Sequence, residues 1–306
     1  MNIVCPLCKF EQHKVIYKNV TPYPHADIVK CTSCNHLYTY FQEEIDISNL
    51  YSDEVYKVVE NRNSVFDRVL SLEYNRVIKK INSLKAGYGF LLDFGCGKGK
   101  FGSLVAKAGW KVKCVETSSE RARYASSVYG LEVNTDLYQS GKIFDTEFEA
   151  LTLFHVLEHL PAPEELLREL ITNNLKGNAL VVVEVPNFKS FQSNLAKNKW
   201  LHLDVPRHLS HFTPERLGIF LNGLDLIVIK KSSFSWHLGV LGMLDSLMKL
   251  FGFQKNIIYE LKNKRDFLLL FKVSILFPFA ILFEALASLV NRGGIIRFYL
   301  LRKRQF

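Results

Sequence analysis

Residues 90–102 read Phe90-Leu91-Leu92-Asp93-Phe94-Gly95-Cys96-Gly97-Lys98-Gly99-Lys100-Phe101-Gly102. The first five residues form an apolar run short enough for a buried strand, with Asp93 near its end. Gly95, Gly97 and Gly99 then allow a tight turn and a close approach of backbone to ligand. A helix is predicted from there through about Lys107. A second strand runs from Lys111 to Glu116. Glu116 stands 23 residues beyond Asp93, where a carboxylate can accept both hydroxyls of a ribose. The run from Gly97 to Gly102 also satisfies the dinucleotide pattern G-x-G-x-x-G. In that reading the strand should stay apolar up to the first glycine, whereas here Asp93 interrupts it and Gly95 has already turned the chain. A nicotinamide-dependent oxidoreductase using the same glycines stays as the alternative.

The alternation continues downstream. Ser118 to Tyr129 reads as a helix opened by a serine cap, and Leu131 to Asn134 as a short strand. Phe148 to Phe154 is a strand, followed by a helix opening near Pro163-Glu164-Glu165. Asn178 to Val185 is a valine-rich strand, Pro214 to Leu221 a helix, and Asp225 to Lys230 a sixth strand. Strands this continuously apolar, separated by helices, imply a parallel sheet covered on both faces. The expected fold is therefore α/β, a doubly wound, mostly parallel, seven-stranded Rossmann-like sheet closed by Ile295 to Leu301. Helical spacing is also present from about Ile47 to Lys85, and Gly87 and Gly89 end it. The chain then divides into a module at 1–45, a helical connector at 46–86 and the core at 87–235. A helical insertion at 236–291 and a final strand with a basic tail at 292–306 complete it.

Near the N-terminus, Cys5-Pro6-Leu7-Cys8 and Cys31-Thr32-Ser33-Cys34 provide four thiolates in two tight turns. Such a set converges tetrahedrally on Zn²⁺ and fills its coordination shell, so the metal is structural. His13, His25 and His36 are then surface or packing residues. The segment from Met1 to Phe10 has no unbroken apolar core of the kind a secretory signal needs. The expected location is the cytosol.

The 306 residues are 48% hydrophobic and 23% charged, with net charge +9. From Lys231 onward twelve cations face four acids, so nearly all of the excess lies in the last quarter. A basic tail beside apolar residues points to an anionic membrane surface. Nucleic acid is disfavoured, because no basic stripe interleaved with aromatics lies near the cysteines. Phe267 to Val290 carries only Lys272 and Glu284 as charges and exceeds the roughly 20 residues that span a bilayer. Pro278 at its middle would kink it, and the return of the chain into the sheet excludes a single crossing. An interfacial element at the inner face of the membrane is expected, flanked by Lys262, Lys264 and Arg265 before it and by Arg292, Arg297, Arg302, Lys303 and Arg304 after it. A helical cap or a dimer surface is the competing reading.

Taken together, these motifs resemble the class I S-adenosylmethionine-dependent methyltransferases, in the branch with an N-terminal zinc-binding module that includes sugar C-methyltransferases. Leu91 to Gly99 is similar to that family's first motif. Phe144-Asp145-Thr146 through Phe154-His155-Val156-Leu157-Glu158-His159-Leu160 is similar to its fourth-strand segment, and Val185-Pro186-Asn187 follows the fifth strand. Pro206-Arg207-His208-Leu209-Ser210-His211-Phe212-Thr213 resembles the segment before the sixth strand. The resemblance implies that Gly95, Gly97 and Gly99 line the cofactor, with Asp93 behind them near its amino-acid end. It implies Glu116 on the ribose, Asp136 and Leu137 beside the adenine, and His155 beside the methyl donor.

A hydroxyl or carbon acceptor also needs a base. His202, Asp204, His208 and His211 fall within ten residues of one another, and His208 or His211 is favoured, with Asp204 next. The module resemblance points to a sugar nucleotide or other glycan precursor as acceptor, and the apolar insertion to a lipid-linked sugar. A non-catalytic zinc scaffold on the same fold would require a damaged glycine loop, and this loop is intact.

Overall fold

A computed structural model describes residues 4–20, 23–43, 64–85, 88–253, 255, 257, 260, 261 and 266–303. Three strands open the chain, β1 (His13–Tyr17), β2 (Ala26–Cys31) and β3 (Leu37–Phe41). Helix α1 (Val65–Leu84) follows, its N-terminus capped by the Ser64 hydroxyl, which accepts the Asp67 N–H at 3.1 Å. Then come β4 (Phe90–Phe94), α2 (Lys100–Lys107), β5 (Lys111–Val115), α3 (Ser119–Tyr129) and β6 (Glu132–Asn134). Ser118 caps α3, and Gly130, at φ +66°, ends it in the left-handed conformation common past a helix C-terminus. The chain continues through β7 (Phe148–Phe154), α4 (Pro163–Asn174), β8 (Leu175–Pro186), α5 (Phe191–Ala196), β9 (Ser210–His211) and α6 (Pro214–Asn222). It ends with β10 (Leu226–Ser232), α7 (Leu238–Leu250), α8 (Phe267–Leu289) and β11 (Ile295–Arg302).

These elements form two compact units, and the chain passes between them several times. One unit comprises residues 45–185, 217–231 and 297–306, and the other 1–44, 186–216 and 232–296.

The first of these units is built on the seven-stranded sheet, with strand order β10-β11-β8-β7-β4-β5-β6. The pairs β4–β5, β5–β6, β4–β7 and β7–β8 are all parallel, as the continuous apolar strands required. Val77, Ile78 and Ile81 of α1 share one buried cluster with Phe101 and Val105 of α2 and with Leu91, Ala150, Leu180 and Val182 of the sheet. The stretch read as a connector at 46–86 is thus corrected in its described part: α1 is a core helix, because its apolar face covers the sheet. The predicted beginning of that helix, residues 47–63, lies outside the described residues. Strand order reverses about β4, with β5 and β6 on one side of it and β7 and β8 on the other. Loops leaving the carboxyl ends of β4 and β7 therefore diverge and leave a crevice at that edge.

The second unit keeps the expected break near residue 45 but is not confined to the N-terminal module, since it also takes in residues 186–216 and 232–296. Its four-stranded sheet has the order β1-β2-β3-β9. β9 comes from the segment after β8 and pairs antiparallel with β3, Leu37 opposite His211 and Tyr38 opposite Ser210. The N-terminal module is completed by residues some 170 positions away in the chain, a pairing with no local signature. Its three leading strands were unread in the sequence, where turn-rich composition masked them. In the same unit, Val240, Met243, Leu244, Leu247 and Met248 of α7 pack with Leu269 and Ala280 of α8. Among the described residues, the helical insertion expected at 236–291 contains α7 and α8 packed on each other, and it belongs to the module's unit.

Candidate functional site

The crevice at the reversal point of the seven-stranded sheet holds a cavity of about 950 Å³. Gly95, Gly97 and Gly99 all sit in the left-handed region, at φ +75°, +56° and +75°. A Cβ on Gly95 would lie 2.6 Å from Val156 Cγ2, and one on Gly99 would lie 2.8 Å from Ala125 Cβ. One on Gly97 would meet nothing within 4 Å, because that residue faces the cavity. The three glycines therefore have different jobs. Gly95 clears the turn after β7, Gly99 lets α3 approach, and Gly97 leaves room for a ligand. Gly99 does not line the cavity, which corrects its expected place there.

Glu116, at the end of β5, spans this loop. Its Oε2 accepts the Gly97 N–H at 2.8 Å and its Oε1 accepts the Ser118 N–H at 2.9 Å. A carboxylate oxygen has two lone pairs, so both remain able to accept from a ligand on the cavity side. Asp93 is buried, and its Oδ1 accepts the Thr152 hydroxyl at 2.7 Å. Its Oδ2 is buried with no hydrogen-bond partner, although Asp93 lines the cavity. Burial pushes this carboxyl up to about 7; the Thr152 hydroxyl opposes the rise and the nearby Glu116 charge adds to it. An unpaired buried carboxylate oxygen costs about 1–3 kcal/mol or more. A cationic ligand arriving at the cavity would remove that cost.

His155, in the first turn after β7, is held at φ +56° and also lines the cavity. Its Nδ1 is 3.0 Å from Glu158 Oε1 and its Nε2 is 3.0 Å from Glu184 Oε1. Glu184 is in turn paired with Arg297 of β11, and Arg297 with Glu73 of α1. Burial alone would lower the His155 pKa, but the two carboxylates outweigh it and raise it to about 10. Glu184 is lowered to about 2; burial works against this, and Arg297 and His155 prevail. His155 is therefore an imidazolium with both N–H groups donating to carboxylates. It presents fixed positive charge and is not a proton acceptor.

Asp136 and Leu137 separate. Leu137 borders the cavity, whereas Asp136 sits on the exposed turn after β6, its N–H donating to Asn134 Oδ1 at 2.9 Å. Asp136 is outside the cavity lining because this short turn folds back on Asn134. Sequence reasoning missed Phe66 and Tyr74 of α1, Tyr124 of α3 and Tyr138, all of which face the cavity. Ser118 was legible as a helix cap. The α1 residues were not, since helical spacing reports a buried face and not which neighbour it meets.

In the other unit the two Cys-x-x-Cys turns are built alike. Each is followed by a left-handed residue, Lys9 at φ +59° and Asn35 at φ +61°. The Lys9 N–H donates to Cys5 O at 2.9 Å and the Asn35 N–H to Cys31 O at 3.1 Å. The Cys34 N–H donates to Cys31 Sγ at 3.4 Å. Sγ–Sγ distances are 3.6 Å for Cys5–Cys34 and for Cys8–Cys31, and all four sulfurs lie within 4.8 Å of one another. Zn–S bonds of about 2.3 Å in a tetrahedron place sulfurs roughly 3.8 Å apart, so the set fits that ion. His36 is buried against Phe212, with Nε2 3.1 Å from Ser210 Oγ, in the packing role expected of it.

The four candidates for a base all belong to this second unit, and hydrogen bonding separates them. His208 Nδ1 is 2.9 Å from His202 O. A carbonyl only accepts, so Nδ1 carries the proton and Nε2 is the basic nitrogen. Asp204 Oδ2 lies 3.7 Å from that Nε2. For His211, Thr39 Oγ1 is the partner of Nε2 at 2.9 Å, and the same hydroxyl donates to His208 O at 2.6 Å. With its single hydrogen used, the hydroxyl accepts, and His211 Nε2 is a donor. His202 Nε2 is 3.2 Å from Leu238 O and donates to it. Asp204 is paired with Arg207.

A family model described as a methyltransferase domain matches residues 66–230. A ubiquinone biosynthesis O-methyltransferase of Burkholderia ambifaria is 23% identical over 157 residues, which cover 48% of this chain and 68% of that protein. Among solved structures, a SAM dependent methyltransferase from Archaeoglobus fulgidus is 18% identical with a TM-score of 0.50, over 84% of this chain and all of that one. That likeness concerns the fold. The family match covers α1, the glycine loop, Glu116, His155 and the sheet through β10, which is more than half the chain. This protein belongs to the methyltransferase domain family.

Proposed function

We propose that the protein transfers a methyl group from S-adenosylmethionine to a small-molecule acceptor. One observation carries the choice of donor: the glycine turn opens over Gly97 beside Glu116, and the partnerless Asp93 Oδ2 lines the same cavity. Glu116 suits a ribose, and Asp93 suits a positively charged amino-acid end. Gly95, Gly97 and Leu137 supply walls, while His155 fixes charge at the mouth of β7. When bound, the donor supplies a methyl group on a positively charged sulfur, which leaves by direct displacement. The chain has only to align it and to exclude water.

His208 is our choice for the proton acceptor, since its Nδ1 is held by the His202 carbonyl, its Nε2 is the basic nitrogen, and the Asp204 carboxylate 3.7 Å from Nε2 would stabilise the imidazolium formed there. A methyl goes to the acceptor oxygen or carbon as that atom's proton goes to Nε2. The four cysteines hold structural zinc and so stiffen the unit that carries β9. For the acceptor we favour a sugar nucleotide or a lipid-linked sugar, from the likeness of the cysteine module to that of sugar C-methyltransferases. A phenolic hydroxyl is the second reading, favoured by the B. ambifaria relative's named role.

Calorimetric titration with S-adenosylmethionine and with NAD tests the donor. Binding of the first and not the second is expected, and the reverse would restore the nicotinamide alternative. Labelled donor offered with nucleotide sugars, lipid-linked sugars and small phenols then tests the acceptor.

A further inference from the structure

Helix α8 is packed on one narrow stripe. Leu269, Ala280, Glu284 and Ala287 are buried, and at about 100° per residue they occupy one side of the helix. Glu284 Oε1 accepts the Gly294 N–H at 2.7 Å and Oε2 accepts from Gln192 Nε2 at 3.1 Å. The Ser233 hydroxyl donates to Ser288 O at 3.2 Å. Anchors at Leu269 near one end and at Ala287 near the other hold the helix along the unit over nearly its whole length.

Most of the remaining α8 residues are apolar and exposed; Val273, Leu276 and Ile281 are partly buried, and Lys272 and Ser274 are exposed polar residues. Phe267 is 85% exposed, Phe271 63%, Leu289 80%, and Ile275, Phe277, Phe279, Leu282 and Leu286 are exposed with them. These positions are spread over about 200° of the helix circumference. Leu250 and Phe251, at the end of α7, are exposed as well. Exposed apolar area of this size marks a contact. A protein partner approaching from one direction covers one face of a helix, whereas a bilayer interface can take up a broad exposed arc.

Charge agrees with lipid. Lys272, the one cation within the helix, is on the exposed arc, where its long stem can carry the ammonium to head groups. Lys262, Lys264 and Arg265 precede the helix in the sequence and Arg292 follows it. The helix does not cross. Its 23 residues would be long enough, but its packed stripe ties both halves to the same unit. Its neighbour α7 is only 13 residues long and mostly buried.

We propose that α8 and the tip of α7 form a monotopic membrane-binding surface that enters one leaflet of an anionic bilayer in the plane of its head groups. The proposal is independent of the donor assignment. The test is sedimentation of the full chain at low salt with vesicles of phosphatidylglycerol and phosphatidylcholine, or of phosphatidylcholine alone. The F267E/F271E/F279E variant and the milder K272E variant are run beside it, each checked by circular dichroism. Pelleting of the wild type with anionic vesicles is expected. It should drop by roughly tenfold or more in the triple variant and by less in K272E. A wild type that stays in the supernatant would overturn the proposal, as would binding that survives the triple substitution. So would a lipid-free dimer that the triple variant splits, which would assign the face to a second copy of the chain. Failure of S-adenosylmethionine binding would leave each of these outcomes readable.

Discussion

Glu116 accepts the Gly97 N–H through one carboxylate oxygen and the Ser118 N–H through the other. A single side chain therefore joins the turn after β4 to the start of α3, and the site we propose for the ribose is pre-shaped by its own loop. Glu116→Ala should weaken S-adenosylmethionine by about 1.5–3 kcal/mol, the scale of a charge-assisted hydrogen bond. Gly97→Ala should weaken it too, since it forces a side chain to φ +56° and fills the open space. Calorimetry finding both variants at wild-type affinity would move the donor site elsewhere.

The His155 network makes a prediction about pH. Its folded pKa, about 10, lies above the ordinary 6.5. The stability it adds is therefore complete below pH 6.5 and lost as pH rises towards 10. Glu184 works in the other direction. At about 2 against 4.5, its contribution is present above 4.5 and lost as pH falls through that interval. Denaturant midpoints should decline between pH 6.5 and 10 in the wild type, and His155→Gln should flatten that decline. An equal slope in both proteins would show that His155 is not charged in the folded state.

For the cysteine module we expect about one Zn²⁺ per chain and its loss in Cys31→Ser. Chelation should unfold the four-stranded sheet, read as a change in circular dichroism, and leave calorimetric binding of S-adenosylmethionine intact. Purified protein without zinc would overturn the metal assignment.

His208 and His211 should behave differently once an acceptor is known. His208→Ala should lose roughly 10²–10⁴-fold in kcat with donor affinity unchanged. His211→Ala breaks the bond to Thr39 and should cost on the order of 1–3 kcal/mol in stability, with a smaller effect on kcat. Normal turnover in His208→Ala would pass the role to His211 or Asp204.

The glycine turn, the acid at the end of β5 and the parallel sheet could all be read from the chain, because each is written locally. Alternate glycines mean left-handed backbone, and uninterrupted apolar runs mean strands buried on both faces. The two cysteine pairs were legible for the same reason, since a thiolate turn needs only four residues. Tertiary structure alone decided the rest. Pairing of β9 with β3 brought residues 210 and 211 into the cysteine module, and a two-residue strand has no signature in the sequence. The Glu73–Arg297–Glu184–His155 chain joins residues more than two hundred positions apart, and only a fold can make such charges meet away from water. That meeting makes His155, expected only to lie beside the methyl donor, a fixed cation. Hydrogen-bond geometry, which composition cannot carry, likewise set the proton on Nδ1 of His208 and on Nε2 of His211.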